Sequence, residues 1–415
     1  MASKPLGPND ADTDEENVQD EYIDPEDVLE IDEEDGADYP MDDEDELEDG
    51  EGAAGPSGEN DILEDTSIRS FTNHASSVFA VAVHPSAQIA ASGGEDDLGY
   101  IWDYSTGEVL VKLTGHTDSV SNVGFSYDGE MIATGGMDGK VRVWKRVGQQ
   151  DFKRWTFLTE LQGPDEVMWL RWHPKGNVLL AGSNDTTVWL WNLPSGNTMQ
   201  VFASHASSVA CGEFTPDGKR ILTADTDGTL ILWDPRSPTP LWKLTSDDGR
   251  FDLDGITSLA VNPASTVAVV GGASGGIRIV NLAKGDIVGS LAVHDEGESV
   301  EAIAFVGFAG TAEVVVTGST DGKACVWDLN TLKIRNELKH GDSVTCLVPL
   351  PAPKSHMVIS GSADRVLRTW DTRTGALVKE HQGHRGPVLG AAVGHEGGFV
   401  LSAGDDGACL VFAAE

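Results

Sequence analysis

The chain repeats one short pattern eight times, and this repetition restricts its possible folds more than any other feature. Each repeat closes on a central aromatic residue or its substitute, at Trp102, Trp144, Trp191, Trp233, Val280, Trp327, Trp370 and Phe412. Successive centres are 42, 47, 42, 47, 47, 43 and 42 residues apart. Short apolar runs separated by Asp-Gly turns fill each repeat, which is typical of strands. The period predicts one body of adjoining repeats and not two or three separate domains.

Four positions recur in fixed order within the repeats: a His before the first run, a Ser or Thr at the end of the second, an Asp in the next turn and a Trp closing the third. We assign three such sets to structural hydrogen bonds: His116, Thr134, Asp138 and Trp144; His205, Thr223, Asp227 and Trp233; His340, Ser360, Asp364 and Trp370. A set that recurs in most repeats indicates a structural network and not one catalytic centre. We therefore expect no enzyme and no cofactor.

These motifs resemble the WD40 repeat family over residues 66–415. The resemblance implies an all-β fold, an eight-bladed β-propeller. The third repeat lacks the His and the Ser, and the fifth lacks all four polar positions, so the borders of these two blades are the least defined. Only three residues follow Phe412, so the last repeat lacks a fourth strand. We expect the segment Ser67–Asn73 to pair with the last blade and to close the ring.

Acidic charge is concentrated at the N-terminus. Residues 1–65 contain 28 Asp and Glu and one basic residue, Lys4, and are predicted to be a disordered acidic tail. Residues 66–415 contain 40 acidic and 27 basic residues, a net charge of −13. This balance argues against direct binding of nucleic acid, which needs an excess of Lys and Arg. It favours a basic protein partner.

The cysteines and the hydropathy of the chain indicate the cellular compartment in which it works. Four distant cysteines without zinc-ligand spacing indicate reduced thiols and no metal site. No apolar stretch is long enough for a membrane span. We expect a monomer of the cytoplasm or the nucleus that does not bind membranes.

The resemblance to WD40 propellers implies that peptides bind one particular face. This face is formed by the connections between blades and by the turns between second and third strands. On that face we place twelve candidate contacts with a basic peptide: Glu95, Glu166, Glu301, Asp405, Asp252, Asp254, Asp295, Glu296, Glu298, Phe79, Met137 and Met168. Basic residues are predicted to collect on the opposite face. We single out Glu301, because an acid on a first strand near the channel is expected to be poorly solvated. The alternative is that these acids are ordinary surface residues.

A narrower resemblance rests on the third repeat and the turn that follows it. The segment Trp172–Gly196, WHPKGNVLLAGSNDTTVWLWNLPSG, followed by PDGKR, is similar to the angio-associated migratory cell protein family. Resemblance to the fungal members of this family implies that the chain is a dedicated chaperone in 60S biogenesis. Such a chaperone captures the basic N-terminal segment of the L16-type (eukaryotic L10) ribosomal protein during translation. Two alternatives stay open, a histone-binding WD40 chaperone and a general WD40 interaction scaffold, because any Lys- and Arg-rich peptide satisfies the same electrostatics.

Overall fold

A computed structural model describes residues 64–148, 152–292, 294–307 and 313–414. The predicted disordered tail lies outside the described residues, apart from its last two positions. The first strand, β1 Arg69–Phe71, precedes the strands of the first four blades. Those are β2 Val78–Val83, β3 Ile89–Gly94, β4 Gly99–Asp103, β5 Val109–Leu113, β6 Val120–Phe125, β7 Met131–Gly136, β8 Val141–Arg146, β9 Trp155–Leu161, β10 Val167–Trp172, β11 Val178–Ser183, β12 Thr187–Asn192, β13 Asn197–Ala203, β14 Cys211–Phe214, β15 Ile221–Ala224, β16 Leu230–Trp233 and β17 Pro240–Leu244.

The remaining strands are β18 Ile256–Val261, β19 Val267–Gly272, β20 Ile277–Asn281, β21 Asp286–Leu291, β22 Val300–Val306, β23 Val314–Ser319, β24 Lys323–Asp328, β25 Lys333–Lys339, β26 Val344–Pro349, β27 Met357–Ser362, β28 Leu367–Asp371, β29 Ala376–His381, β30 Val388–Val393, β31 Phe399–Gly404 and β32 Cys409–Ala413. One short 3-10 helix, His395–Gly397, precedes β31. Within the described ranges, no helix has the length and apolarity needed to cross a membrane.

The strands form eight antiparallel four-stranded sheets, which we number as blades one to eight along the chain. Blades one to seven each use four consecutive strands, starting with β2–β5. The first strand of every blade contacts the first strands of both neighbours, so that β2, β6, β10, β14, β18, β22, β26 and β30 form a closed inner ring. The prediction of an eight-bladed propeller is confirmed.

Blade eight takes its outer strand from the start of the propeller. Its order is β30, β31, β32 and then β1, with Arg69 opposite Val411 and Phe71 opposite Cys409. Phe71 is buried and stacks on Trp102 of blade one, with ring centroids 4.6 Å apart. The predicted closure by this segment is therefore confirmed, and it covers the edge that β32 would otherwise expose.

The hydrophobic core lies between adjacent blades. Between blades four and five, for example, Leu222 and Leu232 pack with Ala268, Val270 and Val280. This contact explains why blade five forms without the polar set of its neighbours. Apolar strands that bury side chains on both faces stabilise a blade whether or not it contains the His and Asp.

In blade four the structure corrects the predicted polar set. The carboxylate partner of His205 is Asp225, at 2.9 Å from Nδ1, and not Asp227. Thr223 completes the set, because its Oγ1 lies 2.7 Å from His205 Nε2 and accepts the Trp233 indole N–H at 2.8 Å.

The reason lies in the position that Asp225 occupies. Blade two has Gly136 there, and a Cβ added to it would lie 2.6 Å from His116 Nδ1 and 2.6 Å from Asp138. A side chain from this position therefore points directly at the histidine. Asp225 takes up that space and replaces the later carboxylate.

The sets of blades two and seven are incomplete. His116 lies 3.0 Å from Asp138 and 2.7 Å from Thr134, as predicted. Among the described contacts, however, the Trp144 indole has no hydrogen bond to Thr134, and the guanidinium of Arg142 lies 5.8 Å from the centre of its ring. The four-residue set therefore reduces to three residues in blade two.

In blade seven, Ser360 lies 2.7 Å from His340 Nε2 and accepts the Trp370 indole N–H. Asp364 does not reach the histidine. Its carboxylate accepts from the Gly341 N–H and from Arg368 at 2.7 Å. Arg368 therefore competes successfully for the carboxylate, and the predicted His–Asp link is wrong in this blade.

Candidate peptide-binding mouth

One end of the propeller is built from the turns between second and third strands and from the connections between blades. In each blade a backbone hydrogen bond joins the turn to the connection that leads into the first strand. The Glu95 N–H, for instance, donates to the Ser77 carbonyl at 2.9 Å, and the Asp405 N–H donates to that of Pro387 at 2.9 Å. We call this end the mouth. It contains all twelve candidate contacts predicted from the sequence.

Several mouth segments are also linked to an adjacent blade. The Ser77 hydroxyl of blade one donates to Asp405 of blade eight at 2.8 Å. The Thr257 hydroxyl of blade five donates to the Val300 carbonyl of blade six at 2.7 Å, and the Thr345 hydroxyl of blade seven donates to that of Val388 at 2.6 Å. These bonds fix neighbouring segments of the mouth relative to one another.

A β-bulge marks the point where the inner strand leaves the mouth. The pairing of first and second strands shifts between Val78 and Ala80, and again between Val167 and Trp169. The bulged residues are Phe79, Ser121, Met168, Thr257, Glu301, Thr345 and Leu389. A bulge redirects one side chain out of the alternating pattern. This explains why an apolar Met168 is 43% exposed on a strand whose next two residues are buried.

All nine predicted carboxylates are exposed. Several accept hydrogen bonds from neighbouring mouth residues: Glu95 from Ser76, Glu166 from the Asn184 amide at 3.1 Å, and Glu298 from Thr320 at 2.6 Å. Such bonds orient a carboxylate without neutralising its charge. Met137 is 46% exposed, and Phe79 is partly buried. The mouth therefore combines oriented anions with apolar surface.

The expectation that Glu301 is poorly solvated is wrong. Glu301 is exposed and accepts a hydrogen bond from the Ser299 hydroxyl. The bulge after Val300 turns this side chain outward to solvent. Its carboxylate is therefore available to a cation at little cost in desolvation.

The separation of charge between the two ends is less complete than the sequence suggests. Lys140, Arg365 and Arg385 also lie in mouth segments, and Lys323 binds both oxygens of Asp295 at 3.0 Å. Asp295 is therefore already paired with a cation of the same blade. The positions beside Glu166, Glu301 and Asp405 contain more acids than bases, so the mouth stays acidic.

The repeats of this propeller match a known protein family. The model of the family described as "WD domain, G-beta repeat" matches residues 65–103, 107–145, 155–192, 196–234, 285–328, 332–371 and 375–412. The chain belongs to the WD40 repeat family. The matched segments leave out residues 235–284, which contain the first three strands of blade five, the blade without the polar set.

Individual relatives resemble the whole WD40 propeller. The human angio-associated migratory cell protein is 31% identical over 363 residues, covering 85% of this chain and 81% of that protein. The ribosome assembly protein Sqt1 of Saccharomyces cerevisiae is 25% identical over 381 residues, covering 84% and 87%. The crystal structure of Chaetomium thermophilum Sqt1 bound to the N-terminus of the ribosomal protein L10 has a TM-score of 0.79 and 32% identity, covering 84% of this chain and 100% of that one. The predicted resemblance is confirmed.

Exposed acids of the WD40 mouth that sequence reasoning missed include Asp118 and Asp342. Each accepts the N–H of the following serine, Ser119 or Ser343, at 2.7 Å. Both stand in an Asp-Ser-Val sequence at the start of an inner strand. This motif is the signal that would have located them.

Proposed function

We propose that this WD40 protein is a dedicated chaperone of a ribosomal protein in 60S biogenesis. Its client is the L16-type (eukaryotic L10) protein, and the mouth binds the basic N-terminal segment of that client. The observation that carries the proposal is the ring of exposed, oriented carboxylates at the mouth of a propeller similar along most of its length to Sqt1. The similarity to a protein solved with the N-terminus of L10 supports the choice of client.

The chemistry of the mouth suits such a client. Lys and Arg side chains form charge-assisted hydrogen bonds with carboxylates, and an Arg can bind one carboxylate through two N–H groups. The apolar surface of Met137 and Met168 accepts the aliphatic parts of those side chains. A client covered in this way is shielded from aggregation and from incorrect RNA contacts. The shielding ends when ribosomal RNA takes the place of the mouth on the basic segment of the client.

The role requires binding and no reaction. In blades one, four, six and eight the His, Ser or Thr and Asp side chains are engaged with one another. These contacts provide a structural reason for residues that resemble a catalytic triad. We propose a non-catalytic chaperone.

Charge reversal in the mouth tests the proposal. Glu166→Lys and Glu301→Lys should each weaken binding of a synthetic N-terminal L10 peptide by about tenfold, because an attraction becomes a repulsion. Fluorescence anisotropy at two salt concentrations measures the effect, and wild-type affinity should fall with added salt.

The matched control is Glu337→Lys, the same charge change on the exposed outer strand β25. This variant should bind almost as well as wild type. Equal affinity of all three variants for the L10 peptide would exclude the mouth as its binding site. Tighter binding of a histone-tail peptide than of the L10 peptide would contradict the choice of client and favour the histone-binding alternative.

A further inference from the structure

The end of the propeller opposite the mouth has a basic surface that the proposed chaperone role does not use. The turn between the first two strands of blade four, residues 215–220, stands there between two grooves. Lys219 and Arg220 line both grooves, and Arg236 lines the first. We call Lys219, Arg220 and Arg236 the blade-four ridge.

The two grooves beside the ridge are partly apolar. The first, between blades three and four, has a volume of about 440 Å³, with Met199 and Phe214 among its walls. The second, between blades four and five, measures about 570 Å³ and is lined in part by Leu241 and Trp242. Met199 is 51% exposed and Leu241 is 45% exposed. Apolar surface of this kind, next to charge, is typical of pockets that hold one anchoring side chain of a partner.

The cations of the ridge are largely uncompensated. Lys219 is 78% exposed and lies 3.6 Å from Asp217, a separation that gives a weak surface ion pair. Among the described residues, no carboxylate lies within 4.0 Å of the guanidinium of Arg220 or Arg236. By contrast, Arg146 and Arg368 are paired with glutamates.

One acid also lines the first groove. Asp234 accepts the backbone N–H of Arg236 at 3.0 Å, so its carboxylate is held by the turn. The carboxylate of Asp217 is held in the same way by the Lys219 N–H at 3.0 Å and by the Thr215 hydroxyl at 2.7 Å. Both acids therefore have partners in their own turns, and the guanidinium groups remain available.

We propose that the blade-four ridge is a second docking surface, which binds an acidic peptide segment of a partner protein with an apolar side chain between its carboxylates. Carboxylates would pair with the ridge, and the apolar side chain would enter a groove. Nucleic acid fits less well, since the chain has a formal net charge of −40 and apolar grooves contribute little to binding phosphates. The protein then joins a basic client at one end to an acidic partner at the other.

A labelled acidic peptide, DEEFDELEE, tests the surface on the full chain by fluorescence anisotropy in about 50 mM salt. The double variant K219E/R236E should bind it at least about tenfold more weakly than wild type. Met199→Ser, and separately the peptide DEESDESEE, should each weaken binding by about fivefold because they remove apolar contact. The melting temperature of each variant should match wild type, since all three side chains are exposed.

The matched control is K153E/R154E, an equal charge change on the same end at blade two. It should bind the peptide within about twofold of wild type, and so should Glu301→Lys in the mouth. Equal weakening in K219E/R236E and in the control would overturn the proposal, as would no measurable binding to wild type. The proposal would also be overturned if K219E/R236E weakened the binding of a single-stranded RNA more than it weakened the binding of the peptide.

Discussion

Single residues show how position in the fold decides which of two similar side chains is used. Asp225 and Asp227 stand two residues apart in the same turn, yet only Asp225 reaches His205. Asp225 is fully buried and also accepts the Thr229 N–H at 2.7 Å. Burial alone would raise the pKa of Asp225, but the hydrogen bonds from His205 and Thr229 outweigh it and lower the pKa.

This arrangement predicts a large difference between two substitutions in one turn. Asp225→Ala should lower the free energy of unfolding by about 2–3 kcal/mol, because it leaves His205 Nδ1 and the Thr229 N–H without their acceptor. Asp227→Ala should change it by less than about 0.5 kcal/mol. Urea unfolding measures both. Equal losses would mean that Asp227 is the structural carboxylate after all.

Glu213 is a second residue whose environment was not visible in the sequence. It lies on the inner strand β14, and its carboxylate accepts the Val261 N–H of blade five at 2.5 Å. Burial raises its pKa to about 7, although nearby Arg171 opposes the shift. The folded protein therefore holds the proton more tightly than the unfolded chain does.

The raised pKa of Glu213 predicts a pH-dependent stability. Wild type should lose stability relative to Glu213→Gln as pH rises from about 4.5 to about 7, since the charged form is disfavoured only in the folded state. Above that range Glu213→Gln should be more stable by about 2 kcal/mol, a value reduced for the partial exposure of the side chain. Thermal unfolding across this pH range measures the difference. A constant difference would show that Glu213 titrates normally.

At the scale of elements, β1 and the bulges connect local sequence to the ring. β1 has only three residues, but it pairs along β32 and inserts Phe71 against Trp102. The bulges in turn redirect one residue of seven inner strands at the mouth, and two of these residues, Met168 and Glu301, are exposed. Neither effect depends on the strand propensity of the segment itself. Both depend on which strand lies beside it.

Loss of the closing strand should open the ring. Phe71→Ala should cost about 3–4 kcal/mol, the usual range for removal of a buried aromatic side chain. A chain that begins at residue 72 should aggregate, because β32 becomes an exposed edge. A chain that begins at residue 64 retains β1 and serves as the control. Size-exclusion chromatography distinguishes a monomer from aggregates, and a soluble monomer of the shorter chain would contradict the role of β1.

At the scale of the whole molecule, the location of charge matters more than its total. Of the formal net charge of −40, residues 1–65 contribute −27. That segment has the same sign as the mouth, so we expect it to add to the long-range attraction of a basic client. The propeller instead separates an acidic mouth from the basic ridge of blade four.

Removal of residues 1–63 should therefore slow capture of the L10 peptide. The association rate should fall several-fold at low salt and match the full chain at high salt, where attraction over long distances is screened. The dissociation rate should change little, because the mouth contacts are intact. Stopped-flow fluorescence measures both rates. A faster association after truncation would indicate that the segment shields the mouth instead.

The sequence by itself determined the repeat, the number of blades, the closing strand and the acidic positions of the mouth. Each depends on a period or a residue type that persists along the chain. The twelve mouth assignments stay predictions until binding is measured. Only the tertiary structure decided that Asp225 replaces Asp227, that Arg368 takes Asp364 from His340, and that Glu301 faces solvent. These outcomes depend on distances between side chains from different strands and on backbone bulges, and a linear pattern does not contain either.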